Sequence, residues 1–384
     1  MATPYSEREM HALSSHRFLM RTALAASMSF AWVFALQYLY GLYGNISDAF
    51  LRIILLYELT QVITILLTPY SAEQLKNGMR SRMMAGVFVC ILSFVFFGAA
   101  LNGLVPSIFG LLIFAIGMGV YRAFYWTPYA LEKDTVSVES PLPQEILIAI
   151  MPLVVGYSLV NGYLGAAMIL FTGATLLVAS LAPLFSVKEN AETYVWGYRE
   201  TFGELFEPKY NPIVETSFLA GVQGAALLLL WPLTIFVIVG LSYTLFGLVL
   251  TATLLLAILF RDRGQRIMKN RDVVHVAVAA SAWIFRLAVA SPLSVVLVSA
   301  YASPTDTPAD LLTLEQAADS GTYLDEYTVL KELSQGLGRI ALCIAAAVCI
   351  SEFSLPIGLG VAFLLAAGAS AVSVLNARSS PEIF

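Results

Sequence analysis

Glu58 and Gln61 stand three residues apart in a stretch that is otherwise largely apolar. In a helix that spacing puts both on one face. A charged carboxylate at mid-membrane costs several kcal/mol, so it takes up a proton or finds a cation. Two uses of Glu58 therefore stand open: uptake and release of a proton, or a structural ion pair with an arginine. Arg122 has Trp126 one turn further on. It could clamp an anionic solute, or close a gate through an ion pair. Glu332 and Arg339 are seven residues apart and share a helix face, which suggests a charge network of Arg122, Glu332 and Arg339. Asp306 and Asp310 are one turn apart and interleaved with Pro304 and Pro308. Freed backbone carbonyls are tolerated at membrane depth only when buried or lining water. The segment reads either as a polar, broken helix beside a pathway or as a span that ends early, leaving both aspartates cytoplasmic.

Other polar and aromatic residues in apolar runs are candidate cavity linings: Trp32 and Gln37, Asn161, Gln223 and Trp231. Arg286 lies near the outer end of its run and reads as snorkelling to the interface. Reactive motifs are missing. There is no Gly-x-x-x-x-Gly-Lys-Ser/Thr loop for phosphates, no His-Glu-x-x-His and no Gly-x-Ser-x-Gly, so no enzyme is expected. His11, His16 and His275 have no ligand spacing, and Cys90, Cys343 and Cys349 sit in apolar runs. No metal and no cofactor is expected.

What must position these residues is a set of long helices. Residues 83–121, 146–187 and 216–260 contain no Asp, Glu, Lys or Arg. A span needs about 20 apolar residues, and each stretch is about twice that. They break at Asn102-Gly103, Asn161-Gly162 and Gly240-Leu-Ser. The same reading along the chain gives twelve spans, roughly 20–43, 48–69, 83–101, 105–127, 143–161, 164–186, 212–239, 242–260, 272–290, 291–317, 334–352 and 355–377. Composition agrees: 59 % of residues are hydrophobic and 12 % charged, against about 25 % charged in soluble domains. The net charge of −5 gives no reason to expect nucleic acid. Of the 21 Lys and Arg residues, Arg52, Arg122 and Arg286 fall well inside spans. The rest lie in the termini, in loops after even-numbered spans, or at the span ends adjoining them, which predicts that both termini are cytoplasmic.

The halves echo each other. Trp126-Thr-Pro128-Tyr-Ala-Leu matches Asp306-Thr-Pro308-Ala-Asp310-Leu, and Asn77-Gly78-Met-Arg80 matches Arg263-Gly-Gln-Arg266 at a similar offset. That predicts an all-α polytopic membrane protein of two six-helix bundles related by a pseudo-two-fold axis. The expected divisions are 1–186 for the first bundle, 187–211 for a cytoplasmic linker and 212–384 for the second bundle. Trp196, Tyr198, Phe202 and Phe206 among charges suggest an amphipathic surface helix in the linker.

With these residues the chain resembles the major facilitator superfamily of secondary transporters, over essentially its whole length. Gly78, Arg80 and Arg82 keep part of the pattern after the second span; Asp262-Arg263-Gly264-x-Arg266 keeps it after the eighth, one residue tighter. Gly117-x-Gly119-x-x-Arg122 is similar to the arginine-bearing fourth span. Arg122-Ala-Phe-Tyr125-Trp126-Thr-Pro128-Tyr129, and Leu324-Asp-Glu326-Tyr327 with Lys331-Glu332 and Gly338-Arg339, look like a prokaryotic branch. The resemblance implies alternating-access transport of a small solute in the inner (plasma) membrane. It leaves open coupling to protons, and a monomer is expected. Arg80, Asp262, Arg263 and Arg266 would then belong to the gating loops. A receptor or assembly partner of the same fold, without transport, is the alternative.

Overall fold

The computed structural model describes residues 6–129, 142–162, 164–189, 191, 194–268, 272–303 and 326–379; for 261–268, 272, 273, 275, 276, 327 and 374–379 it describes the backbone alone. Among the described residues all regular structure is helical. The helices are α1 (Glu7–Tyr43), α2 (Ile46–Glu73), α3 (Met79–Leu101) and α4 (Ser107–Tyr121, running on through a π turn, Arg122–Trp126). Then come α5 (Leu142–Val160) and α6 (Ala166–Leu184). Next, α7 runs as Asn211–Ala225, a second π turn at Ala226–Leu230, and Trp231–Ile238. The last five are α8 (Tyr243–Met268), α9 (Asp272–Leu287), α10 (Pro292–Ala302), α11 (Glu326–Glu352) and α12 (Leu355–Ser379).

Among the described residues ten helices are long and apolar enough to cross a membrane. The apolar parts of the other two, Ala277–Leu287 and Pro292–Ala302, are shorter and fall where the ninth and tenth spans were expected. The tenth ends at Ala302 rather than near 317; the remainder, with Asp306, Asp310 and Pro308, lies outside the described residues.

Local chemistry sets the boundaries. Ser6 and Glu9 form a reciprocal capping box at the start of α1. Asn45 Oδ1 accepts from Ser47 N at 2.9 Å and starts α2, satisfying an orphan amide of the first turn. The chain reverses at Asn102-Gly103, Asn161-Gly162 and Gly240-Leu241, with each glycine in the left-handed region.

Helix packing uses small residues and hydroxyls, as expected where hydrophobicity alone drives no association. On α2, Thr60, Thr64 and Thr68 each bond back to the carbonyl four residues earlier. Thr60 and Thr64 also donate to Ala115 O and Gly119 O of α4, at 2.9 and 3.3 Å.

Helices from the first and second halves of the chain meet along α5–α8, α2–α11 and α1–α7. At α5–α8, Gly156 and Gly247 lie under the carbonyls of Tyr243 and Pro152, and Leu153 N donates to Thr251 Oγ1 at 3.1 Å. Near the same end, Phe30 and Phe34 of α1 pack against Phe246 and Tyr243 of α8, at 5.3 and 5.6 Å between ring centres.

The opposite end carries the linker. Tyr194, Trp196, Phe202 and Tyr210 pack on a small core of Ala72, Leu75, Met79, Leu205, Val329, Leu330 and Leu333. Tyr198 N donates to Glu73 of α2, and Val195 N donates to Glu326 of α11 at 3.2 Å. Burial raises the pKa of the Tyr194 phenol, and the group shares a hydrogen bond with Thr201 at 2.8 Å. Helical structure here is limited to Tyr198–Glu204 and one 3₁₀ turn, Pro208–Tyr210. The expected surface helix is thus mostly an irregular strap with its aromatics turned inward; Phe206 alone of the four named aromatics stays highly exposed, at 79 %.

Candidate functional site

The site is built where α1, α2 and α4 surround a cavity of about 40 Å³. Its wall includes Trp32 of α1, Tyr57 and Gln61 of α2, and Tyr121, Arg122 and Trp126 of α4. The π turn of α4 runs from Arg122 to Trp126. Such single-turn bulges shift side-chain register and recur at functional positions. Trp32 stands edge-on to Tyr57 at 5.7 Å, and Trp126 packs against Tyr121 and Tyr125.

Arg122 reaches across to α11. Its Nε and Nη2 donate to Glu332 Oε2 at 3.3 Å, and Nη2 also to Oε1 at 3.4 Å. Both side chains are buried, at 5 % and 3 % exposure. Removing two charges from water is costly, so such a pair survives only with close geometry. Two turns further along α11, Arg339 donates to Gln61 Oε1 at 3.3 Å and to Gln335 Oε1 at 3.0 Å. Arg122, Glu332, Gln61 and Arg339 therefore line one seam between α2, α4 and α11.

Glu58, one turn before Gln61, is half-buried. Its Oε1 is enclosed without a hydrogen-bond partner among the described residues. The carboxamide of Gln61, rather than the Glu58 carboxylate, is the α2 group bonded to Arg339.

The other candidates are dispersed. Gln223 bonds back to Leu219 O of its own helix at 3.5 Å. Arg80 pairs with Glu189 at 3.0 Å, half in solvent. Glu189 also accepts from Ser81 N at 3.0 Å, so it caps α3. Gly78, at φ +117°, leaves room for that carboxylate; a Cβ there would occupy its place. Asp262, Arg263 and Arg266 lie on the last turns of α8, where the backbone alone is described. Gln37 and Asn161 are exposed. Trp231 is buried against Phe363. Arg286 is not snorkelling: it is 3 % exposed, its guanidinium 4.0 Å from the Trp283 ring centre and 5.5 Å from that of Trp231.

Gln335, Tyr57 and Tyr121 were missed from sequence. Gln335 is four residues before Arg339, a spacing that lets the two side chains meet. Tyr121, Tyr125 and Tyr129 repeat at the same interval and stack at 5.5 and 5.4 Å. His16 was dismissed for lack of ligand spacing, yet it is buried, bridging Ser180 O at 2.7 Å and Tyr125 Oη at 3.0 Å.

Among the described residues no cluster of His, Cys, Asp or Glu could hold a metal ion. The fold is that of major facilitator-type transporters, the class the sequence resembles. The crystal structure of the human organic anion transporter MFSD10 (TETRAN) superposes with a TM-score of 0.60 at 15 % identity, covering 97 % of this chain and 100 % of that one. A mutant of the nucleoside transporter NupG gives 0.63 at 12 %, covering 97 % and 100 %. A POT family transporter in complex with 5-aminolevulinic acid gives 0.62 at 13 %, covering 98 % and 96 %. At these identities the likeness is one of fold. No family model and no curated protein matches the sequence.

Proposed function

We propose that the chain is a secondary transporter that moves a small solute across the inner (plasma) membrane by alternating access. The observation that carries this reading is the Arg122–Glu332 pair, which joins α4 to α11 beside the cavity. In the proposed architecture, residues 1–186 and 212–384 form two six-helix bundles of a twelve-span monomer, 187–211 links them, and both termini are cytoplasmic. The contacts α2–α11 and α5–α8 are then seams between bundles that part in turn. The small cavity fits a form closed at both ends. The basic residues crowding the linker end support a cytoplasmic placement of that end.

Glu58 is the proposed proton carrier. Protonation would remove most of the cost of a lone carboxylate at that depth. Solute flux into liposomes reconstituted with the full chain, screened over a solute panel with and without a pH gradient, tests the reading. Uptake above protein-free liposomes supports it. No uptake of any solute, in protein that is folded and inserted, favours a receptor or assembly partner.

A further inference from the structure

Arg122 faces two ways. One side of it is bonded to Glu332, and another forms part of the cavity wall. Beside it the wall carries a second group that can only donate, and the hydroxyls of Tyr57, Thr60 and Tyr121, which can donate or accept. Trp126 is 2 % exposed, and its Nε1 has no hydrogen-bond partner among the described residues. An indole nitrogen can only donate. Gln61 turns its carbonyl to Arg339, which leaves the NH₂ branch of the amide pointing elsewhere. No carboxylate lines the cavity. The remaining surface combines the rings of Trp32, Tyr57 and Tyr121 with Leu24, Met28 and Met118. Donors without an acid call for an acceptor-rich anion, and aromatic walls call for a flat ring.

We propose that this cavity binds a flat aromatic carboxylate. The ring lies among Trp32, Tyr57 and Tyr121, and the carboxylate meets Arg122 and the Trp126 N–H. The assignment rests on the transport reading above and names its substrate class. It also gives a cause for gate release. At about 40 Å³ the cavity as it stands has room for water but not for a ring. The walls must part for the ligand, and Arg122 is the wall residue bonded across to α11. A ligand carboxylate on the same guanidinium competes with Glu332, so it binds the parted form better than the closed one and shifts the population that way.

The test uses the purified full chain in lipid nanodiscs and three probes of similar size: benzoate, benzamide and cyclohexanecarboxylate. Calorimetric titration is expected to give benzoate an affinity at least about tenfold above each of the others, the size of effect seen when a buried donor set loses its charged acceptor. In Arg122→Gln/Glu332→Gln, which keeps a neutral pair, benzoate should lose its advantage over benzamide. Trp126→Phe keeps the ring and loses the N–H, and should weaken benzoate several-fold while the melting temperature holds. For the gate, Ile65→Cys/Gly336→Cys spans α2–α11, where the two residues pack together. With the native cysteines replaced, benzoate should slow oxidative cross-linking of that pair. The proposal is overturned if benzoate does not bind, if benzamide binds equally, if the double variant keeps the preference for the acid, if Trp126→Phe binds benzoate as wild type does, or if cross-linking is unchanged by benzoate. Flux of some other solute would then keep the transport reading while the substrate class falls. Benzoate binding without any flux would do the reverse.

Discussion

Arg122 and Glu332 are 210 residues apart in the chain and meet at 3.3 Å inside the protein. The contact links the middle of the first half to the second half, and both partners are nearly sealed from solvent. Losing one partner leaves the other charge buried without this bond.

Glu332→Gln alone should therefore destabilise the closed form, by about 3–5 kcal/mol if the guanidinium stays buried. Arg122→Gln/Glu332→Gln should cost less than the sum of the two single changes. A double-mutant cycle on denaturant unfolding in mild detergent reads the coupling. Strict additivity would mean that the pair contributes nothing.

The α5–α8 seam depends on the absence of side chains. A Cβ on Gly156 would run into the Tyr243 carbonyl, and one on Gly247 into that of Pro152. Gly156→Val should cost about 1–3 kcal/mol through overpacking. Gly368→Ala, where a Cβ meets nothing within 4 Å, should cost nothing. Thermal unfolding of both variants checks the contrast; equal effects would show that the seam is loose.

The proposed orientation predicts opposite labelling. Single cysteines at Ser186 and Ser354, in a background lacking Cys90, Cys343 and Cys349, should react with an impermeant reagent from opposite faces of the membrane. Reaction from one face only would reject the twelve-span topology.

Glu58→Gln should fold with a yield near wild type, because Gln61 rather than Glu58 is the α2 partner of Arg339. Binding and exchange should persist, while accumulation driven by a pH gradient is lost. Accumulation at the wild-type level would remove Glu58 from the coupling step.

Much of this architecture was legible because charge exclusion is a coarse, strong signal. The breaks at Asn102-Gly103, Asn161-Gly162 and Gly240-Leu241 are turns, and the apolar runs around them are helices. The site was legible in part. The expected network of Arg122, Glu332 and Arg339 includes the Arg122–Glu332 bond, but the amides that join Arg339 depend on how α2 and α11 pack, and helical spacing alone carries no such information. Gln61 was paired in sequence with its neighbour Glu58, whereas its bond runs to a residue 278 positions away. Arg286 misled for a related reason. Its distance from a span end suggested a lipid interface, while the tryptophans that cover it come from α7 and α9. The linker aromatics had the composition of a surface helix, yet the ends of α2 and α11 offer them an apolar seat.

Under the proposed cycle that seat would make the two faces of the protein unequal in their kinetics. The strap is tied by hydrogen bonds to Glu73 on α2 and to Glu326 on α11, the two helices that would separate at that end. Parting them exposes Leu75, Val329, Leu330 and Leu333 along with the aromatic rings that cover them. The α5–α8 end carries no strap among the described residues; in the proposed cycle its opening parts Gly156 and Gly247 from the carbonyls above them, and Phe30 and Phe34 from Phe246 and Tyr243. Apolar exposure carries a positive heat capacity, so the opening rates at the two faces should diverge with temperature, and a cycle limited at one face in the cold need not be limited there when warm.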